Sequence, residues 1–228
     1  MLTPEEQSAL LLSVKVSVCS VAATLPLAVA LAWLLARRAF PGKALLEALL
    51  HLPLVLPPVV VGYVLLLTFG RNGWLGVRLF DWFGVTVAFT WKGAAIAAGV
   101  MGFPLMVQAI RLSMAAIEPR LEQAASTLGS GPWRVFFTVT LPLSLPGIIA
   151  GTVLGFARGL GEFGATITFV GNILGETRTL PLAFFTLTQT PGGDDAAYRL
   201  VWLSMAVAFG ALMASDLLGR RSKRLLGE

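Results

Sequence analysis

The 228-residue chain is 56% hydrophobic and only 13% charged, where an average soluble domain carries about 25% charged residues, and its mean hydropathy is +0.81. A domain of this size cannot bury so much apolar surface within itself, so lipid is its solvent and a soluble globular fold is excluded. The net charge of +5 does not mark a nucleic-acid binder, because the basic residues stand at the ends of apolar runs rather than in an arm or patch.

The opening Met1–Ser8 carries no basic segment, so a cleaved signal is not expected. Val16–Ala36 then runs for 21 residues without a charge, enough to cross roughly 30 Å of hydrocarbon at about 1.5 Å per residue. Arg37 and Arg38 stop it. Within this run Cys19 reads as a small buried hydrophobe, and with His51 it supplies too few soft ligands for a zinc site. Ala48–Gly70 is the second run, and Pro53, Pro57 and Pro58 predict that it is broken or kinked, which neighbouring protein must make tolerable. Lys92–Ile110 is the third, with Gly93, Gly99, Gly102 and Pro104 offering close contacts and a bend. Leu145–Val170 is the fourth and carries Arg158 and Glu162; Leu200–Leu218 is the fifth, closed by Arg220, Arg221, Lys223 and Arg224. Pro181–Thr190 is too short and polar to cross and is re-entrant or interfacial. The expectation is one all-α polytopic membrane domain over residues 1–228, with five transmembrane helices near 13–36, 48–70, 92–110, 145–170 and 200–218.

An odd number of spans puts the termini on opposite sides. Arg37, Arg38, Lys43, Arg111, Arg120, Arg134 and the four basic residues of the tail fall on one set of alternate loops. That set is expected in the cytoplasm, with the N-terminus outside and the C-terminus inside. Trp33, Trp74, Trp82, Trp91 and Trp202 fall near span ends, where interfacial anchors belong.

Between the third and fourth spans lies the loop 115–142. Glu118-Pro119 is a helix start, proline being tolerated in the first turn. Leu121, Ala124, Ala125 and Leu128 recur at helical spacing, and Gly129 is a C-terminal stop. A helix this short does not stand alone in water; it is either an amphipathic connector at the membrane surface or a helix that docks into a partner.

Glu122-x-Ala124-Ala125-x-x-x-Gly129, followed by Val139-x-Leu141-Pro142, resembles the EAA loop of permease subunits of bacterial ABC importers. The resemblance implies the type I importer permease fold, in which this loop forms a cytoplasmic coupling helix seated in a cleft of the ATPase subunit. It assigns ATPase coupling to Glu122, Ala124, Ala125, Gly129, Leu141 and Pro142. Val139 departs from the isoleucine frequent in the family. Leu52–Gly62, Phe69–Gly76, Ala157–Thr166, Gly175–Pro181 and Thr188–Gly193 extend the resemblance over nearly the whole chain, to the molybdate permease (ModB-like) family; sulfate and tungstate permeases share much of it. It implies two copies of an ATP-binding cassette ATPase subunit, an extracytoplasmic molybdate-binding protein, a permease homodimer and residence in a bacterial inner membrane.

Arg158 and Glu162, four residues apart, share a helix face. A lone charge in lipid is costly, so both face protein or water: they are a structural pair, or Arg158 is an element of the anion path. The surrounding Gly155, Gly159, Gly161 and Gly164 would let a neighbouring helix approach closely, as expected near a moving dimer seam. No Gly-x-x-x-x-Gly-Lys-Ser/Thr run, catalytic triad or carboxylate pair is present, so the chain is not expected to hydrolyse ATP, and no catalytic residue, metal site or cofactor is expected. An ion-driven secondary transporter is the rival reading; it calls for internal repeats and a midplane carboxylate, for which Glu162 is the sole candidate.

Overall fold

A computed structural model describes residues 3–225, all helical or in short connections; the side chains of the basic tail (Arg220, Arg221, Lys223 and Arg224) lie outside the described residues. The long first helix, α1 (Pro4–Arg37), begins on a capping box: Thr3 Oγ1 accepts from the Glu6 backbone N–H, and Glu6 returns a carboxylate to the Thr3 N–H. These contacts satisfy two orphan donors, and Pro4 occupies the first turn where no donor is needed. Past the short turn at Gly42 come α2 (Lys43–Val55) and α3 (Pro58–Phe69), bent by 111° across Leu56-Pro57. Pro57 and Pro58 thus mark a real break, with Pro58 in the first turn of α3, while Pro53 stays inside α2.

A helix that the hydropathy pattern does not announce follows. In α4 (Trp74–Phe83), Trp74, Phe80, Trp82 and Phe83 are all exposed, an aromatic surface suited to the bilayer interface. Next is α5 (Trp91–Ala116), capped by the Thr90 side chain and the most enclosed of the three long apolar helices. The loop folds as α6 (Pro119–Thr127), α7 (Pro132–Val135), a π-helical turn (Phe136–Thr140) and α8 (Leu141–Leu143). α9 (Leu145–Leu160), α10 (Gly164–Val170), α11 (Leu180–Thr188) and α12 (Asp194–Leu225) complete the chain.

The bundle is built on α1, α5 and α9, packed mutually, with α10 laid against α3 and α5 and with α12 against α9 and α11. Gly147, Gly151, Gly155 and Gly159 form one stripe on α9. A Cβ on Gly147 would lie 2.1 Å from Ser113 Cβ, and one on Gly155 would lie 2.5 Å from Met106 Sδ. Gly155 and Gly159 are buried, and the helices that they let approach closely are α5 and α1 of the same chain.

Among the described residues, three helices are long and apolar enough to cross a membrane: Pro4–Arg37, Trp91–Ala116 and Asp194–Ala214. Two bent pairs, Lys43–Val55 with Pro58–Phe69 and Pro132–Leu143 with Leu145–Leu160, raise the number to five when each pair is one span. The fourth apolar run is not one helix. It breaks over Gly161-Glu162-Phe163, and α10 packs on α3 instead of continuing α9. Cys19 also departs from expectation: it is exposed, opening onto an apolar groove between α1, α2 and α5. Among the described residues no helix covers it there.

Candidate functional site: the loop helix and its anchorage

The end of the bundle where α1 finishes and α2 starts gathers Arg37, Arg38, Lys43, Arg111 and the loop, and is called the basic end below. Arg111 pairs there with Glu47 at 3.0 Å, tying α5 to α2.

α6 starts at Pro119, with Glu118 as its cap residue, and ends on a glycine-terminated motif. Gly129 has φ +83°; its N–H donates to the Ser126 carbonyl at 3.0 Å, and the Ser130 N–H donates to the Ala125 carbonyl at 3.2 Å. These are the two reversed bonds of a Schellman turn, which uses the left-handed residue to satisfy the last carbonyls of a helix. The stop read at Gly129 is thus a defined, rigid ending.

The helix presents two faces. Leu121 is 47% exposed and Leu128 87% exposed, with Ala124 exposed between them. Apolar residues at this spacing form a contact stripe, and here they point away from the chain. Glu122 and Ala125 lie on the inner side, partly buried. The Glu122 carboxylate accepts from Arg37 Nε at 3.1 Å and meets Arg37 Nη2 at 3.0 Å; the Thr140 hydroxyl donates to its Oε1 at 2.6 Å. Leu141 and Pro142 open α8, directly after Thr140, with Pro142 exposed. The two halves of the sequence motif, separated in the chain, therefore meet through Glu122 and Thr140.

Arg158 and Glu162 sit elsewhere, about 20 Å along α9 from its start at the loop, given a rise of ~1.5 Å per residue. Glu162 Oε1 accepts from the Ala165 N–H at 2.8 Å, capping α10. Its Oε2 meets Arg158 Nη1 at 2.5 Å as an ion pair without hydrogen-bond alignment. The Glu162 side chain is 1% exposed and that of Arg158 25%. A carboxylate so enclosed is tolerable only with its charge matched; Arg158 supplies that match and the Ala165 N–H occupies Oε1, while Oε2 has the ion pair but no hydrogen bond.

At the end opposite the basic one, Glu6 lies on the first turns of α1, ahead of the apolar run. Burial opposes its ionisation, but bonds from the Thr3 N–H and the Arg199 guanidinium outweigh this and hold its carboxyl below the ordinary glutamate range. Arg199 reaches Glu6 Oε1 at 2.9 Å, joining α12 to α1. Among the described residues no cluster of His, Cys, Asp and Glu could hold a metal ion.

Sequence reasoning missed the partners of Arg37, which it read as the stop of the first span and one of the basic residues that orient the chain, and missed that Glu122 faces inward. It also passed over the Thr3-x-x-Glu6 capping box, whose spacing is visible in the sequence.

Comparison with known proteins bears on the whole chain. A family model described as "Binding-protein-dependent transport system inner membrane component" matches residues 25–225. The chain is 62% identical over 226 residues to the molybdenum transport system permease protein ModB of Escherichia coli strain K12, covering 99% of both chains. It is 55% identical over 223 residues to the ModB protein of Haemophilus influenzae, covering 98% of this chain and 97% of that protein. Among solved structures, a bacterial alginate ABC transporter in complex with a pentasaccharide-bound periplasmic protein shares the fold, with a TM-score of 0.75 at 18% identity over 96% of this chain and 80% of that one. On this evidence the chain belongs to the family of inner-membrane components of binding-protein-dependent transport systems, the permease subunits of bacterial ABC importers.

Proposed function

We propose that this chain is the permease subunit that carries molybdate through the inner membrane in an ABC importer. The observation that carries the substrate is the end-to-end likeness to molybdenum permeases. Two copies form the path, two ATPase subunits drive it, and an extracytoplasmic binding protein delivers the oxyanion. Each bent helix pair counts as one span, giving five, and the basic end faces the cytoplasm, with the N-terminus outside. α6 is the coupling helix. In support, its apolar stripe at Leu121, Ala124 and Leu128 has no partner among the described residues, and its Schellman ending gives it a defined stop. Glu122, Ala125, Gly129, Leu141 and Pro142 shape and seat this helix.

Arg158 and Glu162 are the joint that holds α9 to α10; the capping of α10 by Glu162 favours this over a role for Arg158 in the anion path. Energy enters the cycle through contacts that differ between the ATP-bound and ATP-free states, as coupling requires. Reconstitution into proteoliposomes with the ATPase and binding protein tests the reading. Molybdate uptake that needs ATP and both partners is expected. Uptake on a proton or sodium gradient alone would overturn the class, and a preference for sulfate or tungstate would overturn the substrate.

A further inference from the structure

The loop helix is fastened to the bundle in an uneven way. α6 packs on α7 and on the π-helical turn, but it has no broad packing against α1. A cavity of about 650 Å³ lies between α6, the π turn and the end of α1, lined by Trp33, Arg38, Gln123 and Phe136 among others. Across this gap Arg37 alone, among the described residues, reaches α6 with hydrogen bonds from α1. Its Nε and Nη2 hold Glu122, and Nη2 also donates to the Ile117 carbonyl at 3.3 Å. Ile117 caps the C-terminus of α5, where carbonyls lack helical partners. Thr140, on the other side of Glu122, leads through α8 into α9. One guanidinium and one carboxylate thus meet elements continuous with α1, α5 and α9, the three helices of the bundle core.

The groups are screened from solvent as well: the Arg37 side chain is 15% exposed and that of Glu122 20%. Charge-assisted, partly desolvated contacts of this kind are stiffer and stronger than surface pairs. The planar fork of Arg can hold a carboxylate and a carbonyl together, whereas the single ammonium of Lys cannot do so in the same geometry.

We propose that Arg37 is a positioning residue for coupling: with Glu122 and Thr140 it forms the joint through which displacement of α6 reaches α1 and α5 as well as α9. The glutamate of the loop therefore acts inward, on its own chain, and the outer stripe of α6 does the docking. This rests on the reading of α6 as the coupling helix.

The test uses the complete complex, permease with ATPase subunits and binding protein, in proteoliposomes, measuring molybdate uptake and ATP hydrolysis in the same vesicles. Arg37→Gln is expected to keep the ATPase bound and hydrolysing while molybdate moved per ATP falls about tenfold, inside the ~5–150-fold span of allosteric coupling. Arg37→Lys falls between this and wild type, and Arg38→Gln, one residue along and exposed, is unchanged. Thr140→Val, close in size to the native residue, gives a milder loss of the same ratio and serves if Arg37→Gln does not assemble. The double variant Arg37→Gln/Glu122→Gln loses no more than the worse single one, because the two residues act as a unit. A wild-type ratio in both Arg37→Gln and Thr140→Val would overturn the joint, as would loss of ATPase binding in Arg37→Gln with Thr140→Val unchanged. Failure of the coupling-helix reading looks different: the wild-type chain itself would then transport without ATP or the ATPase.

Discussion

The glycine stripe on α9 makes a graded prediction, because the space at each position differs. At Gly147 an added Cβ would sit 2.1 Å from Ser113 Cβ and 3.1 Å from the Ala109 carbonyl, both fixed to α5. Neither can yield without moving a helix, so Gly147→Ala meets the upper end of the overpacking range, about 3 kcal/mol. At Gly151 the nearest atoms are Ile110 Cγ1 and the Met106 carbonyl, each at 3.0 Å, and a middle value of about 1–2 kcal/mol follows. At Gly155 the 2.5 Å contact is with Met106 Sδ, near the end of a flexible side chain. At Gly159 the contacts relax to 3.3 Å with Ser17 Oγ and 3.4 Å with Ala98 Cβ. Replacing a helical glycine by alanine returns about 0.5–1 kcal/mol of chain entropy, so Gly159→Ala comes out near neutral and Gly155→Ala slightly destabilised. Thermal unfolding of the purified permease in detergent, followed by tryptophan fluorescence, ranks the four variants. The expected order of loss is 147, 151, 155, 159. A Gly147→Ala protein as stable as wild type, or an inverted order, would show that α5 and α9 do not approach as described.

Three further outcomes are expected. Gly129→Ala adds no clash, since nothing lies within 4 Å of the new Cβ, but it forces a left-handed alanine at about 1–2 kcal/mol; ATP-driven uptake should fall several-fold while the protein stays in the membrane, and undiminished uptake would contradict the rigid ending of α6. Arg158→Gln should lower stability more than Glu162→Gln, because it leaves the more enclosed partner charged and alone; a stable Arg158→Gln protein with lost uptake would instead assign Arg158 to the anion path. The Glu6–Arg199 tie follows pH with a definite sign. A carboxyl held low in the fold contributes stability above its unfolded value of about 4.3, and loses it as pH falls through the lower folded value. Melting of wild type should therefore converge with that of Glu6→Gln in acid and separate from it towards neutral pH; parallel curves would refute the pairing.

How much of this was legible in the sequence differs by element, for physical reasons. A pair of adjacent prolines is a strong breaker, so the discontinuity at Pro57-Pro58 could be read directly, whereas the single prolines Pro26, Pro53 and Pro104 stand inside their helices. The loop helix carried its own punctuation in Pro119 and Gly129. Apolar periodicity, however, names a stripe without saying what it touches, and so Leu121 and Leu128 could not be assigned to an outer face. The break at Gly161–Phe163 was hidden because hydropathy continues across it; only the caps, Leu160 giving way to Gly161 and Glu162 turned to the Ala165 N–H, reveal two helices. α4 escaped notice because an interfacial helix is too short and mixed to register as a span. Arg37 resembled any span-ending arginine, and its partners lie 80 and 85 positions away, beyond any local pattern.

Cys19 is the sole thiol of the chain and stands exposed at the mouth of the groove between α1, α2 and α5. Because it lies in the first membrane-crossing helix, against an apolar lining, this thiol faces hydrocarbon and not water. A cysteine introduced on the outer stripe of α6 would therefore be the one thiol open to a water-borne maleimide or spin label, and one such label on each of two copies would supply a distance ruler for the paired permease during turnover.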